Sequence, residues 1–254
     1  MRLKVVQFNM QFGQVWDDRD PDNAPIRVQD TIAEIKSHRA DIIMLQEVER
    51  ARPGGTHPPV PPNYSRLKQE LAPMHSTFSF PPPDPRELPF GIGLAIFCRW
   101  PLQETVRLAL PSPPVEFEFD GEKKTPTDRL LIAAITHPDG RELRLLNTHL
   151  LAFFMLKSSS EENRQQRDIV ARELAMSKVP TILTGDFNVS KHESLVQQFA
   201  EVGYRTVQSD EVTWRRRPYV LDHIFYNEPL KLVSHQVKPT PSSDHHVLVA
   251  EFEF

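Results

Sequence analysis

The stretch PTILTGDFNVS, residues 180–190, decides how the rest of the chain is read. Thr181 to Leu183 is a run too short for a helix and is bounded by Pro180 and Gly185, which predicts a buried strand with Asp186 and Asn188 at its carboxyl end. Open α/β sheets keep their sites at that end. Ser190 followed by Glu193 has the form of a capping box, and Leu195, Val196 and Phe199 continue at helical spacing as far as Gly203. A polar pair fixed between a strand and a helix has two readings here. Asp and Asn favour turns and backbone caps with no chemistry attached, or they belong to a site.

Other stretches repeat the pattern. VVQFNM ends on Asn9 and Met10, DIIMLQEVE delivers Glu47, LRLLNTHL carries Asn147 and His149, and VLDHIFY carries Asp222 and His223. SSDHHVLVAEF opens a terminal strand with Asp244 and His245. Caps alone do not account for acids, amides and histidines placed at so many strand ends. In order along the chain, Asn9, QEV at 46–48, NTHL at 147–150, GDFN at 185–188, LDHI at 221–224 and SDHH at 243–246 closely resemble the endonuclease/exonuclease/phosphatase superfamily. That group, similar to DNase I and to exonuclease III-type nucleases, also includes sphingomyelinases, inositol polyphosphate phosphatases and deadenylases. Each motif alone is weak; six in the family's order are specific, and they run through nearly the whole chain.

The resemblance implies an α/β fold: two mainly antiparallel or mixed sheets packed as a sandwich, helices outside, and a site where the motif loops meet. Because motif residues reach from one terminus to the other, residues 1–254 are expected to form one domain. A hydrophobic fraction of 39% allows a sizeable core. The net charge of −4 lacks the basic excess of a protein that holds nucleic acid chiefly by neutralising phosphates, although a local basic patch remains compatible with it. A single cysteine, Cys98 in LAIFCRW, excludes an intramolecular disulfide and reads as a core thiol. Neither a long apolar leader nor an 18-residue apolar run occurs. A cytoplasmic monomer with no stable membrane insertion is expected.

Several segments between the motifs are informative. Asp18, Asp20 and Asp22 have the spacing that begins a calcium loop, but Asn23 and Gln29 stand where its glycine and glutamate belong, so a solvated loop is preferred. Val28, Ile32 and Ile35 predict an amphipathic helix over 26–38. Residues 53–89 are so proline-rich that regular sheet pairing is not expected there, apart from a short helix begun by Asn63; a surface insertion that walls the site is favoured over a partner ligand. Arg99 reads as a structural pairing residue, and residues 111–127 read as a loop. Asp139–Gly140 predicts a hairpin turn between LLIAAIT and ELRLLNTHL. A helix follows with Ile169, Val170 and Leu174 inward and Arg164, Arg167 and Arg172 toward solvent. Leu150 to Leu156 either packs inside or forms an apolar rim for a lipid-like substrate.

Hydrolysis of a phosphate ester needs an activated water, positive charge on the phosphoryl oxygens and help for the leaving oxygen. Carboxylates and amides suit Mg²⁺ or Mn²⁺. Glu47 is the expected metal ligand, Asn9 binds the ion directly or positions its water shell, and the resemblance adds Asp244 as a ligand of the same ion or of a second one. His149 donates to a phosphate oxygen, Asp186 and Asn188 orient the water, and Asp222 holds His245 in the form that polarises the phosphate. Asn147 and the triplet Arg215, Arg216 and Arg217 are assigned to substrate phosphates, with His223 and His246 on the opposite strand face. A serine hydrolase built on Ser242 or Ser243 leaves most of these residues without a role, and no close-spaced Cys/His set points to zinc. The expected function is Mg²⁺- or Mn²⁺-dependent phosphodiester hydrolysis, with nucleic acid the leading substrate. A small-molecule or lipid-headgroup phosphoesterase is the alternative, and a catalytically silent binding module the third reading.

Overall fold

Most central strands carry buried apolar side chains on both faces: Val5 and Val6, Ile42 and Ile43, Leu145 and Leu146, Ile182 and Leu183, and Ile224 and Phe225 are all 2% exposed or less. Such strands need cover on both sides. The computed structural model of the chain, residues 1–254, provides it with two six-stranded sheets packed face to face and four helices outside. Alternate residues sort cleanly between the layers. Val5, Ile42, Met44, Leu145, Ile182 and Ile224 meet between the sheets. Their neighbours Val6, Ile43 and Leu45 face the helices Val28–Ser37 and Pro62–Glu70. Leu146, Leu183 and Phe225 face Gln165–Met176 and His192–Ala200. This is the helix-flanked sandwich that the motifs imply.

The first sheet runs Lys231–Lys238, Val247–Glu253, Arg2–Asn9, Ile42–Gln46, Leu94–Cys98 and His75–Ser79. The second runs Arg205–Thr206, Asp222–Tyr226, Thr181–Asp186, Leu143–His149, Arg129–Thr136 and Gln103–Leu110. Each sheet has one parallel pair at its centre, Arg2–Asn9 with Ile42–Gln46 and Leu143–His149 with Thr181–Asp186. A parallel pair requires a crossover, and the helices Val28–Ser37 and Gln165–Met176 lie in these two. Both pairs therefore deliver their carboxyl ends, and the motifs on them, to one edge of the sandwich. No helix is long and apolar enough to cross a membrane.

Local expectations fare unevenly. The predicted hairpin forms, with Leu130 paired to His149 and Asp139 and Gly140 both at positive φ in the turn. Arg99 pairs with Asp41 at 2.9 Å, and Cys98 is fully buried. The capping box does not form: the last helix begins at His192 with Lys191 at its cap position and no side-chain cap bond. The proline-rich segment contains a strand after all, His75–Ser79, because Pro73 and Pro81 flank it and leave its pairing with Leu94–Cys98 intact. Residues 111–127 hold a small ribbon, Phe117–Phe119 with Glu122–Lys124. Arg167 is not at the solvent face but 2% exposed, bonded to Gln198, Ser160 and Ser194.

Candidate active site

At the shared edge, the polarity of the layer between the sheets changes along each strand at the same level. Continuing the inward parity of Val5, Met44, Leu145, Ile182 and Ile224 toward this edge places Gln7 and Asn9, Gln46, Asn147 and His149, Thr184 and Asp186, and Asp222 between the sheets. Glu47 follows its strand at φ +49°, in the left-handed region that non-glycine residues seldom adopt. Gly91 makes room for it: a Cβ there would stand 1.9 Å from Glu47 Oε2. Asn188, at φ +51°, turns the chain after Asp186. In the second sheet, Asp186 lies in register with both His149 and Asp222.

The side chains converge closely. Asn9 Nδ2 donates to Glu47 Oε1 at 2.9 Å and to Asp186 Oδ2 at 3.0 Å, bridging two carboxylates from different sheets. His149 Nε2 is 3.6 Å from Asp186 Oδ2 and 3.9 Å from Glu47 Oε1. His245 Nε2 is 3.5 Å from the same Asp186 oxygen, while its Nδ1 is 2.7 Å from Asp222 Oδ2. One ligand atom each from Glu47, His149 and Asp186 falls within 4.8 Å of the others. Ser243, far from acting as a nucleophile, donates its hydroxyl to the Asn9 carbonyl at 2.8 Å. A surface concavity of about 830 Å³ lined by Glu162, Arg164, Asp168 and Arg172 contains none of these residues.

Beneath the site runs a directed chain of hydrogen bonds. Asn147 Nδ2 donates to the carbonyls of Leu45 and Ala95 in the opposite sheet, so its Oδ1 must accept, and Gln46 Nε2 donates to it at 2.6 Å. Gln46 Oε1 accepts from Gln7 Nε2 at 2.8 Å, and that nitrogen also donates to Asp222 Oδ1 at 2.9 Å. Two backbone carbonyls thus fix the direction of every bond as far as Asp222, which is left to accept from His245 on its other oxygen.

Charge in the site is strongly perturbed. Burial opposes the charged form of His245, but Asp222 and Asp186 outweigh it and hold the imidazole protonated well above its ordinary range. His149 goes the other way: burial, then Arg129 and His245, keep it neutral. Burial, Asp222 and Glu47 push the Asp186 carboxyl up to about 8 against His245 and the Asn9 bond. Burial and Asp244 likewise raise Glu47, against the Asn9 bond. Buried carboxylates from two sheets, linked by an amide, form a hard oxygen set of the kind a divalent cation fits. Glu47 and Asp186 supply its oxygens here, and Asn9 stands between them with Nδ2 toward both.

Not every expected residue reaches this cluster. Asn147 is fully buried with its amide engaged between the sheets, so it cannot touch a substrate; its place in the directed chain corrects its assignment to substrate binding. Asn188 donates its amide to the Leu150 carbonyl. The arginine triplet is not a free patch. Arg215 donates to the Thr240 carbonyl, Arg216 binds Asp244 and Asp22, and Arg217 is the exposed member. Asp244 accepts from Trp214 and Arg216. His223 is buried behind the site against Phe187 and Phe225, and His246 belongs to neither group of converging ligand atoms. In the 150–156 segment, Leu150, Leu151 and Phe153 pack inside, Phe154 leans on Trp214 and Tyr219, and Met155 is 60% exposed.

Residues the motifs did not indicate also belong to the site. Gln7 was visible as a polar residue at inward parity in an apolar run, and Gln46 stood in the QEV motif without an assigned role. Thr213, whose hydroxyl accepts from the backbone N–H groups of Leu221 and Asp222, gave no sequence signal. Nor did Arg129, whose charge acts on both Glu47 and His149 and whose buried Nε has no partner.

The sequence matches the profile of the Endonuclease/Exonuclease/phosphatase family over residues 6–245. Among curated proteins, UPF0294 protein YE0917 of Yersinia enterocolitica is 32% identical over 127 residues, 48% of this chain and 47% of its own length. The match thus spans about half the length of that relative. Among solved structures, the human Nocturnin catalytic domain with bound sulfate anion superposes with a TM-score of 0.68 at 23% identity, covering 100% of this chain and 94% of that one. A mannosyl-6-phosphatase from Bacteroides thetaiotaomicron gives 0.67 at 17% identity, covering 99% and 100%. At these identities the likeness is one of fold.

Proposed function

This chain belongs to the endonuclease/exonuclease/phosphatase family, and on that premise we propose that it is a metal-dependent hydrolase of phosphate esters, acting on phosphodiesters. The observation that carries the reading is the convergence of Asn9, Glu47, His149, Asp186 and the Asp222–His245 pair at the carboxyl ends of both parallel strand pairs. Glu47, with Asn9 beside it, would hold Mg²⁺ or Mn²⁺, an ion that supplies Lewis-acid polarisation of a phosphoryl oxygen and neutralises developing charge. The remaining chemistry falls to the chain itself. Charged His245, fixed through Nδ1 by Asp222, presents Nε2–H to the phosphoryl oxygen and stabilises the charge that grows there. Neutral His149 donates from the other side. Asp186, next to both histidines, orients the attacking water and receives its proton, with Asn188 holding the turn that places it.

Nucleic acid is one proposed source of the diester, but its support is weaker than the sequence suggests, because Arg215 and Arg216 are engaged within the protein. Half-buried Phe154, packed on the Trp214 ring that lies against His245, and its exposed chain neighbour Met155 favour a second reading, a small or lipid-headgroup phosphoester with an apolar group. Ion-free protein restored with Mn²⁺ and offered single-stranded and duplex nucleic acid, bis(p-nitrophenyl) phosphate, p-nitrophenyl phosphate and a phospholipid would separate these readings. Turnover of the chromogenic diester above the monoester is expected; no turnover of any ester would overturn the proposal. Saturable nucleic-acid cleavage whose KM rises in Arg217→Ala favours the first substrate class. Cleavage of the lipid that weakens in Phe154→Ser favours the second.

A further inference from the structure

The proline-rich segment 53–89 walls a concavity of about 480 Å³ lined by Phe12, Pro53, Pro58 and Pro89 together with Arg50 and Arg52. It adjoins the candidate metal centre through Glu47. Arg50 pairs in register with Gly91, the residue that backs on the Glu47 carboxylate, and Phe12 donates its N–H to the Glu47 carbonyl at 2.7 Å. Both arginines are exposed, and neither forms an ion pair. Arg50 Nε donates to the Pro89 carbonyl at 3.1 Å and its guanidinium lies 5.4 Å from the centre of the Phe12 ring, which leaves both Nη groups without a protein acceptor. The one acid in the lining, Glu49, is 3% exposed and accepts from Tyr64 N–H at 2.8 Å; Arg52 acts on its charge without bonding to it. The walls are set in advance. Proline fixes the backbone at 53, 58 and 89, His57 stacks on Phe80 with ring centroids 4.1 Å apart, and Ala51 donates its N–H to the Phe90 carbonyl at 2.8 Å.

We propose that this concavity is an anion subsite, in which Arg50 and Arg52 hold a second phosphate of the substrate while the scissile phosphate lies at the metal centre. A guanidinium is always charged and matches phosphate oxygens in directed, paired hydrogen bonds. Arg215 and Arg216 have donors taken by Thr240, Asp22 and Asp244, whereas Arg50 and Arg52 keep theirs open. A wall fixed before binding lowers the ordering cost of holding the anion. Phe12 and the prolines suit the carbon linker that joins two phosphates. The substrate class is thus a phosphodiester with a further phosphate a few bonds from the scissile one, as a nucleic-acid backbone or a bisphosphorylated small molecule provides.

The inference rests on the proposed phosphoesterase reading, and two measurements keep their failures apart. In the first, inorganic pyrophosphate is titrated into ion-stripped protein while the arginine Nε–Hε resonances are followed by NMR, those of Arg50 and Arg52 being assigned from Arg50→Lys and Arg52→Lys. Saturable shifts of both are expected; resonances that do not move would overturn the subsite whether or not any ester is hydrolysed. In the second, protein restored with Mn²⁺ is offered the p-nitrophenyl ester of thymidine 5′-phosphate with and without a 3′-phosphate, and the p-nitrophenyl ester of propanediol phosphate with and without a terminal phosphate. The doubly phosphorylated member is expected to have a KM lower by about 10-fold or more, with kcat little changed. A preference in the thymidine pair alone assigns the second phosphate to a nucleic-acid backbone, and a preference in both pairs to phosphorylated small molecules as well. The double variant Arg50→Met, Arg52→Met, which keeps an apolar side chain on Phe12, is expected to abolish the difference within each pair, and the Lys variants to retain part of it. Equal KM within both wild-type pairs, or a difference that survives in the folded double variant, would overturn the inference while leaving the phosphoesterase reading intact. Turnover of none of these esters would remove that reading, and the pyrophosphate titration would still decide the subsite.

Discussion

Replacing Asp222 by Asn changes one oxygen into an NH2 group, yet the structure leaves no orientation in which that group fits. Donors face Asp222 from both sides, Gln7 Nε2 at 2.9 Å and His245 Nδ1 at 2.7 Å. Rotating Gln7 would set its oxygen against Gln46 Oε1, and Gln46 cannot turn because Asn147 is locked to the carbonyls of Leu45 and Ala95. If the new amide nitrogen faces Gln7, donor meets donor at a fully buried position, which costs about 1–3 kcal/mol. If it faces His245, Nδ1 must give up its proton and the imidazole loses its charge. Either way His245 loses a buried ionic partner, a change of about 3–5 kcal/mol when one member is removed. Should about 3–4 kcal/mol of that appear in the transition state, kcat falls by about 10²–10³. The sign with pH follows from the causes. Asp222 and Asp186 together hold His245 protonated against burial, and Asp186 is itself raised to about 8, so without Asp222 the imidazole deprotonates at lower pH. The deficit should therefore widen as pH rises. Measuring kcat on a chromogenic diester from about pH 5.5 to about 9, with the melting transition monitored alongside, checks both points. A folded variant within about threefold of wild type across that range, with its alkaline limb unmoved, would refute the reasoning.

Three further outcomes are expected. Chelation should abolish ester hydrolysis and Mg²⁺ or Mn²⁺ should restore it, measured on dialysed protein. Arg167→Ala should destabilise the fold by about 1–3 kcal/mol in a denaturant titration, since it strands buried Gln198 and Ser160 and half-buried Ser194; a shift below about 0.5 kcal/mol would contradict their dependence on it. Burial lifts Glu49 from 4.5 to about 7 although its carboxylate accepts from Tyr64 N–H at the start of a helix. A raised folded-state value means stability is full below 4.5 and declines as the pH rises to about 7, by on the order of 3 kcal/mol, so Glu49→Gln should flatten that slope in pH-dependent melting.

The family and the fold were legible in the sequence because both are written in short-range patterns. Six motifs fall at strand ends in a fixed order, and the strand and helix periods around them, such as Thr181–Asp186 leading into Asp186 and Asn188, are local properties of neighbouring residues. The same holds for Asp139–Gly140, where the turn needs left-handed backbone. What the sequence could not determine depends on residues far apart along the chain. Asn147 sits in a motif and looks like a site residue, but whether its amide reaches a substrate or the carbonyls of Leu45 and Ala95 is decided by the packing of one sheet on the other. Arg215 to Arg217 look like a basic patch until the fold brings up Thr240, Asp22 and Asp244 as partners. Arg167, at a helix position that reads as exposed, is enclosed by the neighbouring helix and the Ser160 loop. Residue type and periodicity fix which face a side chain takes within its own element. Its partner, and with it its charge state and role, is fixed only when tertiary contacts remove water and choose which donor meets which acceptor.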